Sequence, residues 1–192
     1  MASPAPLSAP MAPGIARPRV ARRTLGAVVV AVALLLSALV AAPPAAAATT
    51  HRTTQEILIG RAVTHLLNYE RAAHSLPALS FDEDLRLAAR WHNLAMARYN
   101  TLSHQLPAEA SFGTRITRAG YQWTYIGENI GWTSVMTQTG VLALQRSMYN
   151  ETAPNNGHRL NILSRNFRNV GVDIYLDWTH HKAWMTVDFG RH

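Results

Sequence analysis

The residues of this chain with the most chemistry to offer are histidines and carboxylates in short, well-separated segments. They are Ser103-His104, Gly127-Glu128-Asn129-Ile130, Tyr149-Asn150-Glu151 and Gly157-His158-Arg159-Leu160-Asn161-Ile162-Leu163. A neutral imidazole can ligate a metal or carry a proton near neutral pH, and a carboxylate can orient an imidazole or accept a proton. No glycine loop for phosphates, two-histidine zinc helix or serine nucleophile elbow accompanies them. Enzymes built on those motifs are excluded, so any site must be assembled by bringing distant segments together.

The elements that could do so are legible in the hydrophobic pattern. Thr53 or Thr54 can cap a first helix with Glu56 in its first turn, running to about Ala73. Its apolar stripe is Ile59, Val63, Leu66 and Leu67, which leaves Arg61, His65 and Glu70 on the exposed side. Ser75 to Leu79 is an extended connection, because the residue before Pro77 is pushed away from helical geometry. A second helix starts after Phe81, with Asp82, Glu83 and Asp84 matching the positive end of its dipole. Leu85, Ala88, His92, Ala95 and Tyr99 share one of its faces. A third helix is predicted over Phe112–Ala119, capped by Ser111 and closed by Gly120. A strand follows over Tyr125–Trp132, then a helix over Val135–Tyr149 and a loop over Glu151–Gly157. Val170–Leu176 and Ala183–Phe189 read as two strands joined by a hairpin over Asp177–Lys182. Three or four helices with a small, largely antiparallel sheet imply a layered α+β domain.

The 192-residue chain has no cysteine, 18 basic and 11 acidic residues, and a formal charge of +7. Four of the arginines, at 17, 19, 22 and 23, precede an apolar run from Leu25 to Ala42 and then the small residues Ala46-Ala47-Ala48. That order is the order of a secretory signal peptide over residues 1–48, with cleavage expected near Ala48 and a secreted product. The alternative is an uncleaved anchor, which would be the only membrane association expected. Without the leader the charge falls to about +3 and the remaining arginines are scattered, so the basic face of a nucleic-acid binder is missing. Without disulfides, stability rests on packing. Residues 49–55 form a short polar lead, and residues 56–192 are enough for one domain.

The chemistry-bearing segments, in their order, resemble the CAP superfamily: cysteine-rich secretory proteins, antigen 5 and pathogenesis-related proteins, in its bacterial SCP-like form. Leu67-Asn68-Tyr69-Glu70-Arg71 with Leu76-Pro77-Ala78-Leu79, Trp91-His92 through Ser103-His104, Gly127-Glu128-Asn129, Met148 to Leu163 and Val187-Asp188-Phe189-Gly190 carry the resemblance. It implies a three-layer α-β-α sandwich with a central cleft lined by two histidines and two glutamates. Position by position these are His104, Glu128, Glu151 and His158. The resemblance then implies His104 and His158 as ligands for zinc or a similar divalent ion, with Glu128 and Glu151 as their orienting partners or as general bases. Three functions are compatible with it: a secreted binding domain for a lipid, envelope fragment or peptide; a metal-dependent hydrolase; and an envelope interaction protein with a purely structural His/Glu network.

Other conspicuous residues have plainer roles. His92 reads as a satisfied interior histidine, and His180-His181 as an exposed hairpin tip. The five tryptophans read as core or rim aromatics, Arg159 and Asn161 as braces for the loop around His158, and Asn129 as a tie between strand and loop.

Overall fold

The computed structural model describes residues 51–192 together with the two residues Ile15–Ala16. The expected signal peptide, its cleavage site and the alternative anchor lie outside the described residues, apart from that two-residue strand. Among the described residues no helix is long and apolar enough to cross a membrane.

Five strands form one sheet in the order β1-β3-β5-β4-β2. They are β1 (Ile15–Ala16), β2 (Ser80–Phe81), β3 (Tyr125–Thr133), β4 (Asn169–Asp177) and β5 (Lys182–Arg191). β3, β5 and β4 pair antiparallel over nearly their whole length, whereas β2 runs parallel to β4. β1 meets β3 only at Ile126 and Tyr125, so it borders one end of that strand.

The helices are α1 (Thr54–Ala72), α2 (Glu83–Tyr99), α3 (Phe112–Ala119), α4 (Gln138–Tyr149) and α5 (Gly157–Ile162). Thr53 closes a full capping box with Glu56, and Asp82 caps α2 through the Leu85 amide. Gly120 ends α3 at φ 114°, a backbone region that is strained for a side chain with a Cβ. Ser111 occupies the position before α3, but its hydroxyl bonds the Thr114 hydroxyl and caps no backbone amide. α4 starts three residues later than its apolar pattern suggests, because Thr137 takes the Gly140 amide and becomes the cap. The helical turn α5 was not anticipated from the sequence.

Side chains alternate across the sheet, so each strand feeds two cores. Val170, Val172, Ile174 and Leu176 of β4, with Ala183, Met185, Val187 and Phe189 of β5, pack against Ile59, Val63 and Leu67 of α1, Val141, Leu144 and Met148 of α4, and Ile162 of α5. On the other face α2 and α3 contribute Leu85, Ala88, Phe112, Ile116 and Ala119. Helices therefore cover both faces of the sheet, giving the three-layer sandwich.

The α2 face also buries polar groups, among them a closely bonded cluster around Asp173. Asn93 donates to both the carbonyl and the carboxylate of Asp173 at 2.9 Å and accepts from the Thr186 hydroxyl at 2.7 Å. Glu70 corrects the sequence reading: it is buried rather than exposed, and it accepts from Gln145 Nε2 of α4 at 2.8 Å. The α1–α4 contact covers that side of α1, a packing that the apolar stripe does not reveal.

Candidate functional site

β3 is the element that joins the scattered segments. Glu128 and Asn129 are consecutive on it, so their side chains leave the strand on opposite faces of the sheet. Gly127 precedes them, and a Cβ there would lie 2.6 Å from Phe167 Cζ and 3.2 Å from Asn161 Oδ1. Only glycine admits so close an approach of the α5 region to the strand.

On the α2 face Glu128 is fully buried, bonded by two groups and faced by a third at longer range. His104 Nδ1 stands 2.8 Å from Oε1, Arg115 Nη2 of α3 donates to Oε2 at 2.5 Å, and His92 Nε2 of α2 lies 3.9 Å from Oε1. Burial alone would raise this carboxyl; His92, Arg115 and His104 together outweigh it and hold the pKa at about 2. Asp188 lies directly opposite Glu128 on β5 and is also buried. Burial and the neighbouring Glu128 charge push Asp188 well above the ordinary carboxylate range. No amide, hydroxyl or cation bonds Asp188 among the described residues, and a hydrogen bond from its protonated carboxyl to Glu128 adds to the upward shift, as suits a neutral acid beside an ionised one.

On the α5 side His158 Nδ1 stands 2.5 Å from Glu151 Oε1. The other Glu151 oxygen accepts the His158 amide at 3.0 Å and the Arg159 amide at 3.4 Å, at the first turn of α5. One carboxylate thus fixes both the backbone and the ring of His158. Arg159 donates to the Tyr149 carbonyl and stacks over the Tyr149 ring, and Arg71 donates to the carbonyls of Ile162 at 2.7 Å and Ser164 at 2.9 Å. These contacts brace the segment at both ends.

The four sequence-derived residues are therefore brought together as two pairs, His104–Glu128 and His158–Glu151. Two asparagines connect them. Asn129 donates to the His158 carbonyl at 3.1 Å, and Asn161 donates to Asn129 Oδ1 at 2.8 Å and to the Glu128 carbonyl at 3.3 Å. The tying role expected of Asn129 and the bracing role expected of Arg159 and Asn161 are both found. His92 is interior, as expected, with Nδ1 2.8 Å from Glu109 Oε1, but it is only half satisfied: its buried Nε2 has no hydrogen-bond partner among the described residues and faces Glu128 Oε1 at 3.9 Å. His180 is exposed at its hairpin and bonds Asp177 at 2.6 Å.

Sequence reasoning missed Arg115, Glu109 and Asp188. Arg115 carried a signal: it sits at helical spacing among Phe112, Ile116 and Ala119, and a charged residue on an apolar stripe must be buried with a partner. Asp188 carried the same signal, lying within the apolar run of β5.

The model of the cysteine-rich secretory protein family, CAP, matches residues 64–189. The chain belongs to the CAP family. A relative, an uncharacterised protein YkwD of Bacillus subtilis, is 32% identical over 112 residues, which are 58% of this chain and 40% of that protein. The crystal structure of an extracellular protein of Bacillus anthracis containing an SCP domain matches at 30% identity with a TM-score of 0.61, over 71% of this chain and 41% of that one. An outer surface protein of Borrelia burgdorferi shares the fold at 15% identity, with a TM-score of 0.59 over 70% and 93% of the two chains. The chain thus spans about two fifths of the length of the two Bacillus proteins. Their common ground with it is the CAP domain.

Among the described residues no group of three or more histidines, cysteines or acids is arranged to hold a metal ion. The donor chemistry of the two pairs is nevertheless that of metal-binding imidazoles. In each, Nδ1 faces a carboxylate, and in each the buried Nε2 has no partner among the described residues. A proton on Nδ1 leaves a lone pair on Nε2, and the carboxylate behind the ring strengthens it as a ligand. His104 retains 14% side-chain exposure and His158 2%, so the His104 side is the more open to solvent.

Proposed function

We propose that this is an exported CAP-domain binding protein whose His104 and His158 hold a divalent ion, zinc or a similar metal, in a cleft that receives a small lipid, envelope-derived or peptide ligand. The observation that carries this reading is the pair of buried, unpartnered Nε2 atoms of His104 and His158; the third such atom among the described residues, His92 Nε2, faces the Glu128 carboxylate at 3.9 Å. In a purely structural network both nitrogens of a buried histidine would ordinarily be satisfied, since an orphaned buried acceptor costs about 1–3 kcal/mol. When bound, the metal would supply Lewis acidity and an anchoring charge. Glu128 and Glu151 fix the tautomers and ring orientations, while Asn129 and Asn161 hold the two segments in register.

Binding is favoured over hydrolysis by the state of Glu128. Its two oxygens are each already engaged, one by the Arg115 guanidinium and one by the His104 ring, which leaves it poorly placed to take a proton from a substrate or water. Glu151 is committed through both oxygens to the start of α5. Export is supported by the basic, apolar and small-residue order of the leader, and by the extracellular description of the related Bacillus anthracis protein.

The test is nitrogen NMR of the imidazoles with and without added zinc. Coordination shifts at Nε2 of His104 and His158, with the His92 signals unmoved, are the expected result. Absence of a shift at both residues would remove the metal from the proposal.

A further inference from the structure

We propose that the groove between the C-terminal half of α2, the 107–110 loop and α3 is a second binding site, separate from the His/Glu pairs, for a small flat monoanion such as an aromatic carboxylate. The cavity holds about 460 Å³, which suits a compact small molecule rather than a folded partner. Trp91 and Leu94, about one turn apart on α2, form one apolar wall, and Pro107 lines the loop side. An indole and a proline ring offer flat apolar surfaces of the kind an aromatic body stacks on.

The charge of the groove selects the ligand. Arg98 and Arg118, in the last turns of α2 and α3, both line it and both are exposed. Among the described residues neither makes an ion pair, a side-chain hydrogen bond or a stacking contact, and neither is tied by any other interaction. Two free guanidiniums at one cavity are suited to a carboxylate, which a guanidinium can grip through two parallel hydrogen bonds.

The acidic residue of the groove does not oppose this. Glu109 pairs with Arg115 Nη1 at 3.5 Å, accepts the Leu106 amide at 3.3 Å and stands 2.8 Å from His92 Nδ1. Its charge is turned inward and compensated. Gln105 Nε2 donates to the Glu109 carbonyl at 2.9 Å and to the Leu106 carbonyl at 3.2 Å, which fixes the loop in this form. Glu109 and Arg115 also reach His92 and Glu128, so the floor of this groove is the back of the network behind His104.

The experiment uses amide and indole NMR of the purified chain, titrated with 2-naphthoate and, separately, with the uncharged 2-naphthamide. At low salt, naphthoate is expected to give saturable shifts at Trp91, Leu94 and the 107–110 loop, with affinity about tenfold or more above naphthamide. The double variant Arg98→Gln, Arg118→Gln keeps part of both exposed stems and breaks no side-chain hydrogen bond or ion pair; it should bring naphthoate down to the naphthamide level. A zinc-free sample should bind equally well, which separates this site from the metal proposal. Equal binding of the two probes, unchanged naphthoate binding in the double variant, or no saturable shift at these residues up to about 10 mM would each overturn it.

Discussion

Asn161 of α5 donates its side-chain amide at 2.8 Å to Asn129 of β3, and Asn129 in turn donates to the carbonyl of His158. This relationship ties the segment that carries His158 and Glu151 to the strand that carries Glu128. It has a direct consequence for mutagenesis. Asn129→Leu removes the side-chain donor to the His158 carbonyl and leaves the Asn161 amide only its longer bond to the Glu128 carbonyl, so a loss of roughly 1–3 kcal/mol is expected in denaturant unfolding. Weakened zinc binding in a sample still folded at low denaturant would show that the same bonds hold the site.

Glu128 and Asp188 should behave oppositely, although they face each other across two strands. Glu128→Gln removes the charge bonded to the buried Arg115, whose other contacts are the longer ones to Glu109 and to the His104 carbonyl, and a cost of about 3 kcal/mol is expected. The Glu128 carboxyl is depressed in the fold, so its contribution is present above the unfolded value and lost as pH falls through about 2. The acid limb of the stability curve should therefore flatten in Glu128→Gln, measured by chemical denaturation from neutral pH into acid.

Asp188 is raised in the fold, so it penalises folding progressively as pH climbs above the unfolded carboxylate range. Asp188→Asn removes that penalty. Its stability relative to the parent chain should be nearly level at about pH 3.5 and should improve as pH rises. A constant offset across that range would contradict a neutral Asp188.

The same sign holds for Glu70, which burial between α1 and α4 lifts to about 7. Below the ordinary carboxylate range Glu70 is neutral in both states. Between there and about 7 the unfolded chain gains by ionising, so native stability declines. Glu70→Gln should abolish this slope and gain roughly 2–3 kcal/mol near pH 8 relative to the parent. Thermal unfolding at matched pH values gives the comparison.

Much of the domain was readable from local pattern because local forces decide it. Thr53 with Glu56, Asp82 before Leu85, and Gly120 after Ala119 mark helix ends through bonds spanning three or four residues, and the alternation in Val170–Leu176 reports a buried face directly. The two His–Glu pairs were reached only through the order of motifs shared with the CAP family. Nothing local couples His104 to Glu128, 24 positions later. What remained illegible depends on which helix covers which side: Glu70 reads as exposed until α4 is placed over it, and the short α5 has too few apolar positions for a period. His92 could be assigned to the interior by its face of α2, but its proximity to Glu128 follows from the depth at which α2 lies on the sheet.

Calorimetric titration of the purified chain with zinc shows whether His104 and His158 act as one metal-binding unit. Saturable binding is expected in the parent, with loss of that binding in the double variant His104→Ala, His158→Ala, and its retention in His180→Ala. An absence of heat in the parent, or binding that persists in the double variant, would contradict it.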